Sequence, residues 1–217
     1  MATELVSDDF TGFGTGDPIT NGSWAEHGAS WLVNASSEAQ PDDGNEGFAR
    51  NTDSAVDEDC YGEITIGQAN ADTGLTGPAG RLLSTATTGY YYRGRVVAGI
   101  DSALGKLIGG SNTTLDTSGD DNFNAGDVCR VEIDGRASAT IKAFHDTSAP
   151  ATTEVSDLTG NTDSDIDSDD GTMYVGMTCN NANATDKTVS DFSGGNLADP
   201  AAGGLPAGSL ALLGVGI

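Results

Sequence analysis

"DVCRVEIDGRASATIKAFHD", residues 127–146, is the stretch whose reading decides the fold. Its first half alternates: Val128, Arg130 and Glu132 fall on one side of an extended chain, Cys129, Val131 and Ile133 on the other. Gly135 interrupts the run where the chain must turn. The pattern then resumes, with Ile141, Ala143 and His145 alternating with Lys142, Phe144 and Asp146. A period of two on both sides of a glycine turn predicts two strands, each burying one face.

Similar runs extend in both directions. Toward the N-terminus they occupy 4–10, 30–35, 46–51, 60–67, 80–86, 89–100, 106–110 and 113–117; toward the C-terminus, 152–157, 171–179 and 188–195. Gly, Asp, Asn and Ser separate them, and no segment carries an apolar stripe at helical spacing. About a dozen short strands between such turns predict an all-β chain, a two-sheet antiparallel β-sandwich or jelly roll. That domain is assigned to residues 1–195, and residues 196–217 to an extended C-terminal tail rich in Gly, Ala and Leu. No repeat of fixed period appears, which argues against solenoids and propellers.

The 217 residues suit one ordinary domain with a sizeable core. Thirty-three acids face nine Lys and Arg, a formal net charge of −24 that repels phosphate backbones and anionic headgroups. Nucleic acid and membrane are therefore excluded as expected partners. Only three lysines occur, and so acidic a surface suits a salty medium that screens self-repulsion. The opening MATELVSDDF lacks the basic start and apolar run of an export signal. Cys60, Cys129 and Cys179 are widely spaced without a C-x-x-C, so they read as small buried thiols. The Asp-rich segments 116–127 and 163–171 read as solvated acidic loops.

Several pieces carry a family resemblance. "SDDFTG" followed by "GSWAEHGASWLVN", then "GPAGRLLSTATTGYYYRGRV", the 127–146 stretch, "GTMYVGM" and "TVSDFSGG" stand in an order that resembles the concanavalin A-like lectin/glucanase superfamily, laminin-G-like jelly rolls included. The resemblance spans roughly residues 5 to 195. It implies a jelly roll with glycan-adhesive capacity and a structural calcium ion where the first and last strands meet, here at Asp9 and Asp191. In hydrolases of this kind it also implies two catalytic acids on one strand. The nearest match is Glu132 and Asp134, but Gly135 and Arg136 stand where the next acid belongs, so no catalytic residue is assigned.

Tyr91, Arg93 and Arg95 alternate with Tyr90 and Tyr92 and share one side of their strand. Tyr and Arg in alternation suit a sugar-binding face, by stacking and paired hydrogen bonds. They suit an inter-subunit contact equally well.

The tail "GLPAGSLALLGVGI" has no charge. Leu205, Leu210, Leu212, Leu213, Val215 and Ile217 would make an unusual free surface, so the tail is expected to dock against a companion molecule. A lectin-like sandwich, no export signal and an apolar docking tail together suggest a non-catalytic accessory protein of a virus particle, a capsid decoration or fibre. Its partners would be other virion proteins or copies of itself, with cell-surface glycan as a further ligand, and its place the virion surface or, alternatively, the extracellular medium. A free carbohydrate-binding module is the second reading, and a glycan hydrolase or lyase the third.

Overall fold

The computed structural model describes residues 2–42, 45–69, 74–84, 87–94, 102–119, 122–136, 138–158, 161–167, 170–180 and 187–198. They form two antiparallel sheets packed face to face, with no α-helix among the described residues. The first sheet runs in the order β13 (Asn161–Asp163), β12 (Ala139–Asp146), β11 (Val128–Asp134), β6 (Cys60–Ala69), β15 (Lys187–Asn196), β4 (Ala39–Pro41) and β3 (Trp31–Val33). Its eighth strand, β1 (Thr3–Asp8), also pairs with β15. The second sheet runs β10 (Ser111–Ser118), β9 (Ser102–Ile108), β8 (Gly89–Arg93), β7 (Leu75–Leu83), β14 (Met173–Asn180), β5 (Gly47–Asn51) and β2 (Trp24–His27). This is the expected sandwich.

The alternation in the opening stretch is realised residue by residue. Cys129, Val131 and Ile133 of β11, with Ile141 and Ala143 of β12, are wholly buried between the sheets. Gly135 turns the hairpin at a φ of 95°, a left-handed conformation that glycine adopts without a Cβ clash. Trp31, Tyr90 and Tyr92 are also wholly buried, and Trp24 meets Phe192 edge-on at 4.9 Å. All three cysteines are buried thiols outside any disulfide, as expected, and burial pushes Cys60 up to about 11.

Three expectations needed correction. β7 begins at Leu75, ahead of the 80–86 run, because its Gly77-Pro78 pair, which reads as a turn, lies inside the sheet. A Cβ on Gly77 would stand 1.7 Å from the Tyr92 carbonyl oxygen, so glycine there permits the close approach of β8. Residues 152–157 form no strand: Phe144 and Glu154 make one isolated bridge, and a 3₁₀ turn follows at Ser156–Leu158. Segment 163–171 is not wholly a solvated loop either. Asp163 ends β13 and, with Asp165, holds the buried Lys106 ammonium, while Tyr90 donates to Asp163 Oδ1 at 2.7 Å.

Candidate functional site

The outward face of the first sheet holds an open cleft of about 910 Å³. Its floor comes from the half of the alternation that the core does not use. On β6, Tyr61, Glu63 and Thr65 face out, while Cys60, Ile64 and Ile66 face in. On β11, Arg130 and Glu132 face out, while Cys129, Val131 and Ile133 face in. The antiparallel register sets Arg130 directly opposite Glu63, and Glu132 opposite Tyr61. Phe144 of β12 and the segment from Ala149 to Thr152 make one wall; Glu4 of β1 and Asp191 of β15 make the other.

Arg130 organises the floor. Its guanidinium lies over the Tyr61 ring, 3.8 Å from the centroid, and Nη2 meets Glu132 Oε1 at 2.6 Å. Nη1 stands 3.8 Å from Glu63 Oε2, too far for a hydrogen bond. Nε is buried and finds no hydrogen-bond partner among the described residues. The side chain is 9% exposed, so this charge sits largely out of water yet at the edge of an open space. Glu63 is similarly enclosed, and Oε2 accepts the Ala151 N–H at 2.9 Å. Burial raises the Glu63 carboxyl above its ordinary range, although the Ala151 N–H and Arg130 pull the other way. Burial raises the Tyr61 phenol as well.

The sequence singled out a different tyrosine–arginine pair, and the structure covers it. Tyr91 and Arg93 do share a face, with Tyr90 and Tyr92 turned to the core. However, Tyr91 is 2% exposed and Arg93 0%. Arg93 lies 3.8 Å above the Tyr91 ring, its Nε and Nη2 donate to Thr178 Oγ1 at 3.0 and 2.6 Å, and Nη1 pairs with Glu46. Tyr91 donates to Asn112 Oδ1 at 2.6 Å. Neither side chain offers a free face to a sugar or a subunit. Arg95 lies outside the described residues, as do Leu205, Leu210, Leu212, Leu213, Val215 and Ile217 of the tail.

Asp9 and Asp191 do come together, with Ser7 and Asp8, around a shallow hollow beside β1 and β15. Calcium takes six to eight oxygens, and several of the oxygens here already have hydrogen-bond partners. Asp8 is already engaged through both oxygens, by the Phe10 N–H at 2.8 Å and the Trp24 indole N–H at 2.7 Å. Asp9 Oδ1 accepts both the N–H and the hydroxyl of Thr11. No three acidic, histidine or cysteine side chains are grouped to hold an ion among the described residues.

Of the two acids nearest the hydrolase pattern, Glu132 borders the cleft, while Asp134 is exposed and outside it. Tyr61 and Glu63 escaped the sequence reading altogether. The signal was present in "CYGEITIG", where Tyr61, Glu63 and Thr65 alternate with apolar or small residues, but nothing in the segment says that β11 lies alongside.

No protein-family model and no curated protein sequence matches the chain. Solved structures do. A xylan β-1,4-xylosidase of Bacillus halodurans C-125 is 14% identical with a TM-score of 0.53; the match covers 90% of this chain and 40% of the xylosidase, so the chain spans less than half of that enzyme. A glycosyl hydrolase family 16 protein of Mycobacterium smegmatis is 12% identical with a TM-score of 0.50, covering 88% of this chain and 100% of its own. The carbohydrate-binding module CBM66 of Bacillus subtilis is 15% identical at a TM-score of 0.47, covering 76% and 95%. What the chain shares with the xylosidase and the family 16 protein is architecture alone, a two-sheet antiparallel β-sandwich.

Proposed function

We propose that the chain is a non-catalytic glycan-binding jelly roll, with the cleft over β6 and β11 as its binding face. The observation that carries this reading is the Arg130 guanidinium, stacked on Tyr61 and bracketed by Glu63 and Glu132 at the floor of the open cleft. A planar fork of N–H donors beside carboxylate acceptors suits hydroxyl pairs on a sugar ring. Phe144 and Pro150 add apolar surface on the wall, against which a ring's C–H face packs. The volume falls within the usual range for small-ligand sites, about 300–1,000 Å³. The shared architecture with a xylan-acting enzyme supports the reading as analogy only.

Catalysis is disfavoured by the state of the carboxyls. A retaining glycosidase needs one free nucleophilic carboxylate and one proton-donating acid about 5–5.5 Å apart. Here Glu132 is tied to Arg130, and the Glu63 oxygen nearest the guanidinium also takes the Ala151 N–H. Calorimetry against a panel of neutral and acidic oligosaccharides, run beside an assay for released reducing ends, tests both halves. Binding without turnover is expected, with the Arg130→Ala variant losing the binding. Release of reducing sugar at enzymatic rates removes the non-catalytic half; no binding to any oligosaccharide removes the other.

A further inference from the structure

Resting on that reading, we infer that the cleft selects its glycan by charge, admitting uncharged sugar residues and excluding uronates, with Glu63 and Glu132 as the discriminating side chains. Four carboxylate side chains, Glu4, Glu63, Glu132 and Asp191, line the cleft, and Arg130 is the one cation among its described lining residues. Two of these acids flank that cation: Glu132 at 2.6 Å and Glu63 at 3.8 Å. The guanidinium is therefore already matched and has no surplus charge for an incoming anion.

The gap between Glu63 and Arg130 sets what fits. At 3.8 Å the two groups make no hydrogen bond, yet each is about nine-tenths buried, so neither is well served by water. A sugar hydroxyl reaching this edge donates to the carboxylate and accepts from Nη1 at once. A uronate carboxylate has no proton to donate. It meets Arg130 only by lying beside two fixed anions in a place where nearby protein weakens solvent screening. The hydroxyl satisfies both partners, and the uronate satisfies one while repelling the other. Glu4 and Asp191 on the opposite wall add to that repulsion along the path of entry.

A chain of net charge −24 repels any anion at long range, so the test must isolate the cleft. At about 0.5 M NaCl the screening length falls to about 4 Å, which removes the distant field and leaves close pairs acting. Calorimetry in that salt compares xylo-, cello-, manno- and galactotetraose with tetragalacturonate, for the wild type and for Glu63→Gln, Glu132→Gln and the exposed, distant Asp53→Asn. The expected result is that the best-bound neutral tetraose exceeds tetragalacturonate by at least tenfold. Glu132→Gln or Glu63→Gln should shrink that ratio at least threefold, and Asp53→Asn should leave it unchanged. Melting curves establish that each variant is folded; if either Gln variant is not, the wild-type ratio and the other variant still decide. Equal binding of tetragalacturonate, or a ratio that neither Gln substitution moves, overturns the charge selection while glycan binding stands. Failure of every tetraose to bind overturns the glycan-binding reading and takes this inference with it.

Discussion

The two sheets each carry an arginine stacked on a tyrosine at their outward faces, and the two stacks do different things. Arg93 on Tyr91 and Arg130 on Tyr61 share the same 3.8 Å separation, and both arginines are almost fully withdrawn from solvent. Over the first, Glu46 and Asn112 close the surface: Arg93 pairs with Glu46, Asn112 donates to Glu46 Oε1 at 2.8 Å, and Thr178 takes the remaining edge of the guanidinium. Over the second stands an open cleft, and the arginine keeps one N–H without a partner among the described residues and one carboxylate just out of reach. The same pair of residue types is a brace where its bonds are complete and covered, and a binding surface where they are incomplete and open. Residue identity does not decide this; what lies on top does.

That contrast makes its largest prediction at the closed stack. Arg93→Ala removes a guanidinium that links β8 to β14 and to the segment carrying Glu46, and it leaves Glu46 without its cation. Breaking such a pair from one side costs about 3 kcal/mol, because the surviving charge is left partly desolvated. For a chain of this size the melting temperature should fall by about 6–12 °C, with glycan affinity per folded molecule unchanged. Calorimetric melting and oligosaccharide titration read the two effects separately. A variant that melts normally would mean that the closed stack is no brace.

Arg130→Ala should differ in what it does to binding. Glycan affinity is expected to fall more than tenfold, about 1.4 kcal/mol or more, and stability falls as well, because Glu63 and Glu132 lose their cation. Equal losses of stability at Arg93 and Arg130, with binding intact at both, would erase the distinction between the stacks.

The sequence singled out the brace and not the site, for a physical reason. In "YYYRGR" the tyrosine and arginine lie two residues apart on one strand, so alternation alone brings them together. Tyr61 and Arg130 meet only because β6 pairs with β11, a long-range register that periodicity does not reveal. Alternation did assign the faces correctly: Cys129, Val131 and Ile133 inward, Arg130 and Glu132 outward. It failed where local chemistry contradicts tertiary context. Gly77-Pro78 resembles a turn and sits in a central strand, and Asp163 resembles a solvated loop residue and receives a buried lysine. The two-sheet plan was thus legible from periodicity, and the cleft was not, since it depends on which strands become neighbours.

A smaller effect sharpens the open stack. Burial holds the Glu63 carboxyl above its ordinary value, so the folded chain binds this proton more tightly than the unfolded chain. An acid shifted upward weakens the fold when ionised, and that penalty fades as pH falls through the raised value and is gone below the unfolded one. The wild type should therefore gain on Glu63→Gln as the pH falls from neutral toward about 4.5, the ordinary carboxyl value. Denaturant melts of both proteins along that range show the trend. A gap that stays constant with pH would mean that Glu63 titrates as it does in the unfolded chain, and that the floor of the cleft is wetter than its geometry implies.

The smallest effect concerns the wall that keeps the second stack accessible but framed. Asp146, at the end of β12, accepts the Thr152 N–H at 2.6 Å and the Thr153 N–H at 2.9 Å, fastening the segment that carries Pro150 and Ala151 beside the cleft. Led by the Thr152 N–H and then by Thr153, these bonds draw the carboxyl down to about 2. A depressed acid contributes while ionised: the tether is complete above the ordinary value of 3.8 and is lost as pH falls through about 2. The Thr152 amide proton, followed by NMR, should therefore titrate with a midpoint near that lower value. Asp146→Asn keeps the shape of the side chain and removes its charge, so the fold should hold while the wall loosens. Glycan affinity is then expected to drop about two- to threefold, well short of the Arg130→Ala loss. Because Ala151 donates to Glu63, a loosened wall also leaves that carboxyl with one bond fewer, and the Glu63 titration should move upward in the same variant. An unmoved Glu63 would separate the wall from the floor and confine the site to the arginine and its two glutamates.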